Sequence, residues 1–188
     1  MVLFITCSDY RIPPDLLTRI KPDELFVTRT VANIVPPFGT GEMAVGAVVE
    51  YAVLHLHVEH CVVMGHTDCG GIKALDHPVD WSREPHIARW IEHARPAKTK
   101  VEASGFPEAA TGPSSAGSSA ELRTGRHLAT VRENVLLQLE HLRSYDPVRE
   151  GERAGELTLH GWVYHLETGE VEAWSPEAED WTPQETGG

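Results

Sequence analysis

The chain has 188 residues, 41% of them apolar and 23% charged, which suits one globular domain with its own core. Its formal net charge of -12 argues against a nucleic-acid partner, because a phosphate backbone binds to a basic surface. No apolar run approaches the roughly 18–20 residues that a membrane-spanning helix needs, so we expect no membrane span.

Three cysteines occur, at positions 7, 61 and 69. An odd and small number in a chain of this length is not typical of a disulfide framework. We therefore expect a reducing, cytoplasmic setting, in which the thiols are available as metal ligands.

The first half of the chain alternates predicted strands and helices. Short apolar or β-branched runs predict strands, and a long apolar segment predicts a buried helix. This alternation indicates an α/β fold with a mostly parallel central sheet flanked by helices. The predicted elements are strands at 2–6, 24–30 and 61–65, helices at 14–20 and 42–56, a loop at 35–41 and a helical start at 72–75.

The second half predicts more helix and then a β-hairpin. Together with the first half it forms a single domain over residues 1–174, with antiparallel strands near its C-terminal end. The predicted parts are helix at 81–100 limited by Pro85 and Pro96, a flexible insert at about 103–120, an amphipathic helix at 126–145, hairpin strands at 156–165 and 170–174, and a loose acidic tail at 175–188.

Reactive residues are concentrated directly after two predicted strands, in CSDYR (7–11) and GHTDCGG (65–71). Carboxyl ends of neighbouring parallel strands meet at one edge of a sheet, where ligands bind. Cys7, His66 and Cys69 would then offer zinc two sulfurs and one nitrogen, with a fourth position left for water. On spacing alone, two alternatives stay open: core thiols with a surface imidazole, or a disulfide between Cys7 and Cys69.

Asp9 and Arg11 are expected to assist the metal. Residues two apart at a strand end point to the same side, so Arg11 is placed to hold the Asp9 carboxylate in its ionised form. An ionised Asp9 accepts a hydrogen bond from hydroxide on the zinc and orients it. The pair Gly70-Gly71 allows backbone N–H groups to approach a developing anion closely.

The histidine-rich stretch HLHVEH (55–60) is a second candidate for a metal site. On a helix, His55 and His57 point about 200° apart, so they do not share an ion easily. We interpret this stretch as the hydrated end of the buried helix.

The motif Cys-x-Asp-x-Arg followed by Gly-His-x-x-Cys-Gly-Gly resembles the β-class carbonic anhydrases, and further segments resemble their plant-type branch. The resemblance covers roughly residues 2–174 apart from the insert, and it implies the β-carbonic anhydrase fold. The supporting segments are 23–35 with Pro36-Pro37, 49–56, 131–135 and 159–162.

The resemblance implies a zinc-dependent lyase that reversibly hydrates carbon dioxide to bicarbonate and a proton, in a homodimer or higher homo-oligomer. By the same resemblance, Phe26, Val31 and Tyr51 form the apolar wall of a substrate pocket built across the dimer interface. Gly70 contacts substrate or product through its backbone N–H, and His55 serves as proton shuttle, since imidazole titrates near neutral pH. Without the family, plain core packing would be the expected role of the three wall residues.

Two features depart from the family pattern. The second strand ends in Arg29-Thr30 where members usually have Arg-Asn. Members also carry N-terminal helices that wrap the partner subunit, and many place a glutamine shortly before the first zinc cysteine, whereas six residues precede Cys7 here. A fragment, a misassigned start or a branch without these parts would each explain this, which leaves dimer stability and full turnover open but not metal binding.

Two other functions fit the same residues. One is hydrolysis of carbonyl sulfide or carbon disulfide on the same fold. The other is a non-catalytic zinc domain with a regulatory role, although a merely structural site would normally fill the fourth zinc position with a fourth ligand.

Overall fold

One six-stranded sheet forms the centre of the fold in this computed structural model, which describes residues 1–77, 80–105 and 116–184. The strand order is β2-β1-β3-β4-β5-β6. The first four strands in this order run parallel to one another, β5 runs antiparallel to β4, and β6 runs antiparallel to β5. This confirms the predicted α/β fold with a C-terminal antiparallel hairpin. The strands are β1 (Val2–Cys7), β2 (Leu25–Thr30), β3 (His60–His66), β4 (Thr158–Tyr164), β5 (Val171–Ser175) and β6 (Asp180–Gln184).

Helices flank the sheet, and proline positions explain where two of them begin. Pro85 and Pro96 each lie in the first turn of a helix, where the missing N–H forfeits no hydrogen bond. The predicted helix at 81–100 is therefore two helices. In the described chain the α-helices are α1 (Pro14–Thr18), α2 (Met43–Leu54), α3 (Gly70–Lys73), α4 (Pro85–Ile91), α5 (Arg95–Ala103), α6 (Ala116–Arg143) and α7 (Asp146–Ala154).

Helix α6 lies so close to the central strands that two strand positions require glycine. A Cβ atom on Gly65 of β3 would lie 2.9 Å from Val135, and one on Gly161 of β4 would lie 3.0 Å from the same side chain. This approach buries Val135 completely and draws the helix onto the middle of the sheet.

A buried row of amides on α6 holds the segment that follows β2. Asn134 Nδ2 donates to Ala32 O at 3.0 Å, and the Val35 N–H donates to Gln138 Oε1 at 2.9 Å. Ala32 and Asn33 both have positive φ, at 58° and 48°, a conformation that costs energy for residues other than glycine. The amides thus keep a strained segment in place beside the edge where β1 and β3 end.

Two predicted features were wrong in part. Helix α6 begins at Ala116 and α5 ends at Ala103, so residues 116–120 of the predicted flexible insert are helical, while 106–115 lie outside the described residues. The predicted loose tail contains β6, where the Trp181 ring packs 5.8 Å from Trp174 and 5.9 Å from the Arg132 guanidinium. Two tryptophans and a cation thus stabilise a strand in a segment whose acidic composition suggested none.

Helix α7 was not predicted at all. It ends at Ala154, and the following Gly155 has a φ of 71°, the left-handed conformation common after a helix. Within the described residues, no helix has both the length and the apolar character needed to cross a membrane.

Candidate metal centre

Neighbouring strands bring the two reactive segments together, as their positions after strands predicted. Strand β1 pairs in parallel with β3, with Thr6 opposite Met64. Their carboxyl ends, at Cys7 and His66, therefore meet at the same edge of the sheet.

A tight turn then returns the chain toward Cys7. Asp68 adopts φ 58°, which reverses the backbone between His66 and Cys69. Thr67 anchors this turn to the C-terminal hairpin, because its hydroxyl donates to Glu167 Oε2 at 2.6 Å and accepts from the Leu166 N–H at 3.0 Å.

Cys7, His66 and Cys69 form a buried cluster, which we call the Cys–His–Cys cluster. One ligand atom from each lies within 4.8 Å of the others. Within the described ranges, no other group of three His, Cys, Asp or Glu side chains brings its ligand atoms this close together. The two sulfurs are 4.0 Å apart and unbridged, so the disulfide alternative is not observed. Two thiolates bound tetrahedrally at about 2.3 Å would lie about 3.8 Å apart.

The His66 ring is oriented for a metal. A carbonyl oxygen only accepts hydrogen bonds, so the 2.7 Å contact with Thr67 O places the ring proton on Nδ1. The lone pair is then on Nε2, which is buried and finds no hydrogen-bond partner among the described residues. An unsatisfied buried nitrogen is costly, and coordination to a cation would satisfy it.

The thiols are electrostatically coupled. A hydrogen bond from the Cys69 thiol lowers the pKa of Cys7 below its ordinary value, and the same contact raises the pKa of Cys69 well above its ordinary value. A divalent cation between the sulfurs would stabilise both as thiolates. This donor set, with an imidazole as the third ligand, fits zinc.

Asp9 and Arg11 make the contact that the sequence predicts. Arg11 Nε donates to Asp9 Oδ1 at 2.9 Å and Nη2 donates to Oδ2 at 2.7 Å, while the Arg11 N–H donates to Oδ1 at 3.0 Å. These bonds, chiefly those from the guanidinium, hold the pKa of Asp9 well below its usual range. Asp9 Oδ2 lies 3.9 Å from His66 Nε2, so the ionised carboxylate faces the Cys–His–Cys cluster.

Three residues that the sequence analysis did not assign also shape this edge. Arg29 Nη1 donates to Asp9 O at 3.2 Å, which holds the loop after β1. The Cys69 N–H donates to His127 Nε2 on α6 at 3.2 Å. Asp68 accepts from Arg11 Nη1 at 2.9 Å. Asp68 had a usable signal, since it is a carboxylate inside the ligand motif, and Arg29 had one in the family's pattern at the end of the second strand. Tertiary packing alone identifies His127.

Val31 and the two glycines lie next to the cluster. A Cβ on Gly71 would lie 2.9 Å from Val31 Cγ1, so this glycine permits close packing of α3 against the segment after β2. Trp90 Nε1 donates to Val31 O at 2.9 Å and helps to fix that segment. A Cβ on Gly70 would find no described atom within 4 Å, so the space beside it is open.

Phe26, Tyr51 and His55 form a second group, which we call the aromatic cluster. The Tyr51 ring lies 5.9 Å from Phe26 and stacks on His55 at 5.2 Å. Phe26 pairs with Leu3 of the neighbouring strand β1. Leu3 precedes Cys7 by four residues, which corresponds to about 13 Å along β1. Within one chain, therefore, the structure does not bring the aromatic cluster to the Cys–His–Cys cluster.

The helix that carries this cluster is shorter than predicted. Helix α2 ends at Leu54, and His57 adopts φ 51° outside it. His57 therefore does not lie on the helix, and the helical angle of about 200° does not describe the directions of His55 and His57. Among the described residues, His55–His60 supplies no group of three metal-ligating side chains.

Comparison with known proteins gives a consistent result. Residues 2–171 match the protein family described as carbonic anhydrase. The chain is 42% identical over 171 residues to a carbonic anhydrase of Pseudomonas aeruginosa, covering 91% of this chain and 71% of that protein. It is 39% identical over 173 residues to a carbonic anhydrase of Synechococcus elongatus, covering 90% of this chain but 58% of that protein.

Solved structures share the fold. A tetrameric β-carbonic anhydrase from the filamentous ascomycete Sordaria macrospora superposes with a TM-score of 0.75 at 27% identity. The match covers 92% of this chain and 79% of that one.

Proposed function

The chain belongs to the β-carbonic anhydrase family, and from that membership we propose that it catalyses the reversible hydration of carbon dioxide to bicarbonate and a proton. The observation that carries the proposal is the buried Cys–His–Cys cluster, with the ionised Asp9 carboxylate 3.9 Å from the unpartnered His66 Nε2. Assignment to the plant-type branch stays a prediction.

One zinc per chain would be held by Cys7, His66 and Cys69. When bound, zinc with one open position lowers the pKa of a water molecule there to about 7 and so supplies a nucleophile at neutral pH. Two thiolates donate more charge than imidazoles do, which weakens this activation. The neighbouring charged side chains, Asp9 and Arg11, are therefore needed to assist the nucleophile.

Asp9 orients the nucleophile. Both of its oxygens already accept from Arg11, which keeps the carboxylate ionised and fixes its plane. Its remaining lone pairs would accept a hydrogen bond from a nucleophile held beside the Cys–His–Cys cluster, which Asp9 Oδ2 faces. A nucleophile that donates a hydrogen bond to Asp9, and keeps its proton, would direct its own lone pair toward carbon dioxide. The open space beside Gly70 would allow an oxygen of substrate or product to approach its backbone N–H.

A second copy of the chain would complete the site. Residues of α2 and β2 present exposed apolar surface, including Tyr51 at 50%, Leu54 at 52% and Val27 at 39% exposure. Among the described residues, strand β2 is also an edge of the sheet, which favours association. We propose a homodimer or higher homo-oligomer in which Phe26 and Tyr51 line the partner's pocket together with its Val31.

His55 would carry the released proton to solvent. It stacks on Tyr51, so a partner that brings Tyr51 to its pocket brings His55 near as well. Imidazole titrates near neutral pH, which suits proton transfer to buffer. The three free thiols further support a reducing compartment such as the cytoplasm.

The test is stopped-flow hydration of carbon dioxide by zinc-loaded protein, with carbonyl sulfide hydrolysis measured in parallel. We expect hydration to exceed the buffer rate strongly and to follow zinc content. Faster turnover of carbonyl sulfide would indicate the hydrolase. Zinc binding without either activity would indicate a non-catalytic zinc domain.

A further inference from the structure

We propose that Asp68 is a positioning residue, which fixes the Arg11 guanidinium and through it the Asp9 carboxylate. The inference rests on the proposed function for its kinetic consequence, but its structural part stands without it. Asp68 lies in the turn between His66 and Cys69, and its Oδ2 accepts from Arg11 Nη1 at 2.9 Å.

The guanidinium is bonded along two different edges. Its Nε and Nη2 face Asp9, and its Nη1 faces Asp68 on the other side. Arg11 is 36% exposed, so with Asp9 as its sole partner the guanidinium would be held along one edge only, with its Nη1 facing water. A planar fork held at both edges neither pivots nor rotates about its Cζ–Nε bond.

Asp68 is itself held in place. Its other carboxylate oxygen contacts Lys73 Nζ, and its backbone adopts φ 58°, a conformation that aspartate tolerates better than most residues. The side chain therefore leaves the turn in a defined direction.

This arrangement links two segments that must act together. The turn at 66–69 supplies two residues of the Cys–His–Cys cluster, and the loop after β1 supplies Asp9. The contact between Arg11 and Asp68 is a direct side-chain tie between them. A shift of either segment would otherwise change the direction of Asp9 relative to the open side of the cluster.

A kinetic experiment tests this role in zinc-loaded protein. We expect Asp68→Ala to lower kcat/KM by about 5- to 20-fold, because small misplacements of an orienting group are costly in rate. The kcat should fall less, since proton release is a separate step. Asp68→Asn retains an acceptor oxygen for Nη1 and should lose less. Zinc content and Tm should remain near wild type, because ion pairs this exposed contribute little to stability.

Asp76 offers a matched control. It also bridges one lysine and one arginine, with Lys98 Nζ at 3.0 Å and Arg126 Nη2 at 3.2 Å, and its exposure of 36% is close to the 43% of Asp68. Asp76→Ala should keep the wild-type kcat/KM. An equal loss in both variants would mean that the effect is general, and would overturn the proposal.

A spectroscopic measurement decides the structural part without any activity. In protein labelled with 15N-arginine, Arg11 should show two distinct Nη signals, assigned by their loss in Arg11→Lys. In Asp68→Ala these signals should coalesce as the guanidinium begins to rotate. Failure of the wild-type protein to hydrate carbon dioxide would refute the proposed function but not this result. Unchanged Nη signals, or a kcat/KM within twofold of wild type in Asp68→Ala, would overturn the positioning role.

Discussion

The Cys–His–Cys cluster and the aromatic cluster differ in how their side chains are held. Cys69 and His66 are fully buried, and hydrogen bonds from the same chain fix His66 and Asp9. In the aromatic cluster, Tyr51 is 50% exposed and its described ring contacts are Phe26 and His55. One group is complete within a single chain, whereas the other presents surface that a second copy would cover. Variants in the two groups should therefore fail in different ways.

The largest effect is expected from Cys69→Ser. A hydroxyl is a poor substitute for a thiolate on zinc, so zinc content should collapse and hydration should fall on the order of 1,000-fold or more. Metal analysis and stopped-flow kinetics check this. Cys61→Ala is the control, because Cys61 is buried in β3 away from the cluster and burial raises its pKa. Full zinc retention in Cys69→Ser would contradict the assignment of the ligands.

Asp9→Asn should retain zinc but lose activity by about 100-fold, since an amide does not replace the carboxylate acceptor. The wild-type pH profile sharpens this test. Because the pKa of Asp9 is held well below its usual range, the carboxylate stays ionised throughout the neutral and mildly acidic range. The pH profile of kcat/KM should thus show no titration of the Asp9 carboxyl above about pH 5. Near wild-type hydration by Asp9→Asn would remove this residue from the mechanism.

Phe26→Ala combined with Tyr51→Ala should lower kcat/KM by about tenfold, and a mixing experiment shows whose pocket these residues serve. Neither this double variant nor Cys69→Ser has an intact site. In a random 1:1 mixture, about half of the dimers contain one subunit of each variant. If the aromatic cluster serves the partner, one of the two sites in each mixed dimer is intact, which is about a quarter of all sites. No recovery on mixing, with subunit exchange verified, would contradict the proposal that the aromatic cluster serves the partner's pocket. Light scattering should show at least a dimer at micromolar concentration.

The smallest effect is expected from His55→Ala. Proton release is separate from attack on carbon dioxide, so kcat in dilute buffer should fall about 3- to 10-fold while kcat/KM is spared. Added imidazole should restore much of the loss by carrying the proton from solution. A kcat equal to wild type in dilute buffer would show that His55 is a surface residue without a role in proton transfer.

Much of the fold was predictable because local patterns reflect local physics. Apolar β-branched runs predicted β1 and β3, and the position of reactive residues directly after those strands predicted the Cys–His–Cys cluster. Asp9 and Arg11 were predictable for the same reason, since two residues at one strand end interact over a short stretch of chain. These features depend on neighbours in sequence or on the general rule for parallel sheets.

The rest depended on contacts between distant segments. Strand β6 exists because Trp181 meets Trp174 and Arg132, although the composition of the tail indicated no structure. Arg29 and Asp68 reach the loop after β1 from other parts of the chain, across sequence separations of 20 and 57 residues. The sequence by itself determined the ligand types, the strand ends and the charged pair beside them. Only the tertiary structure decided which side chains fix that pair, because sequence patterns do not record contacts between segments that meet only after folding.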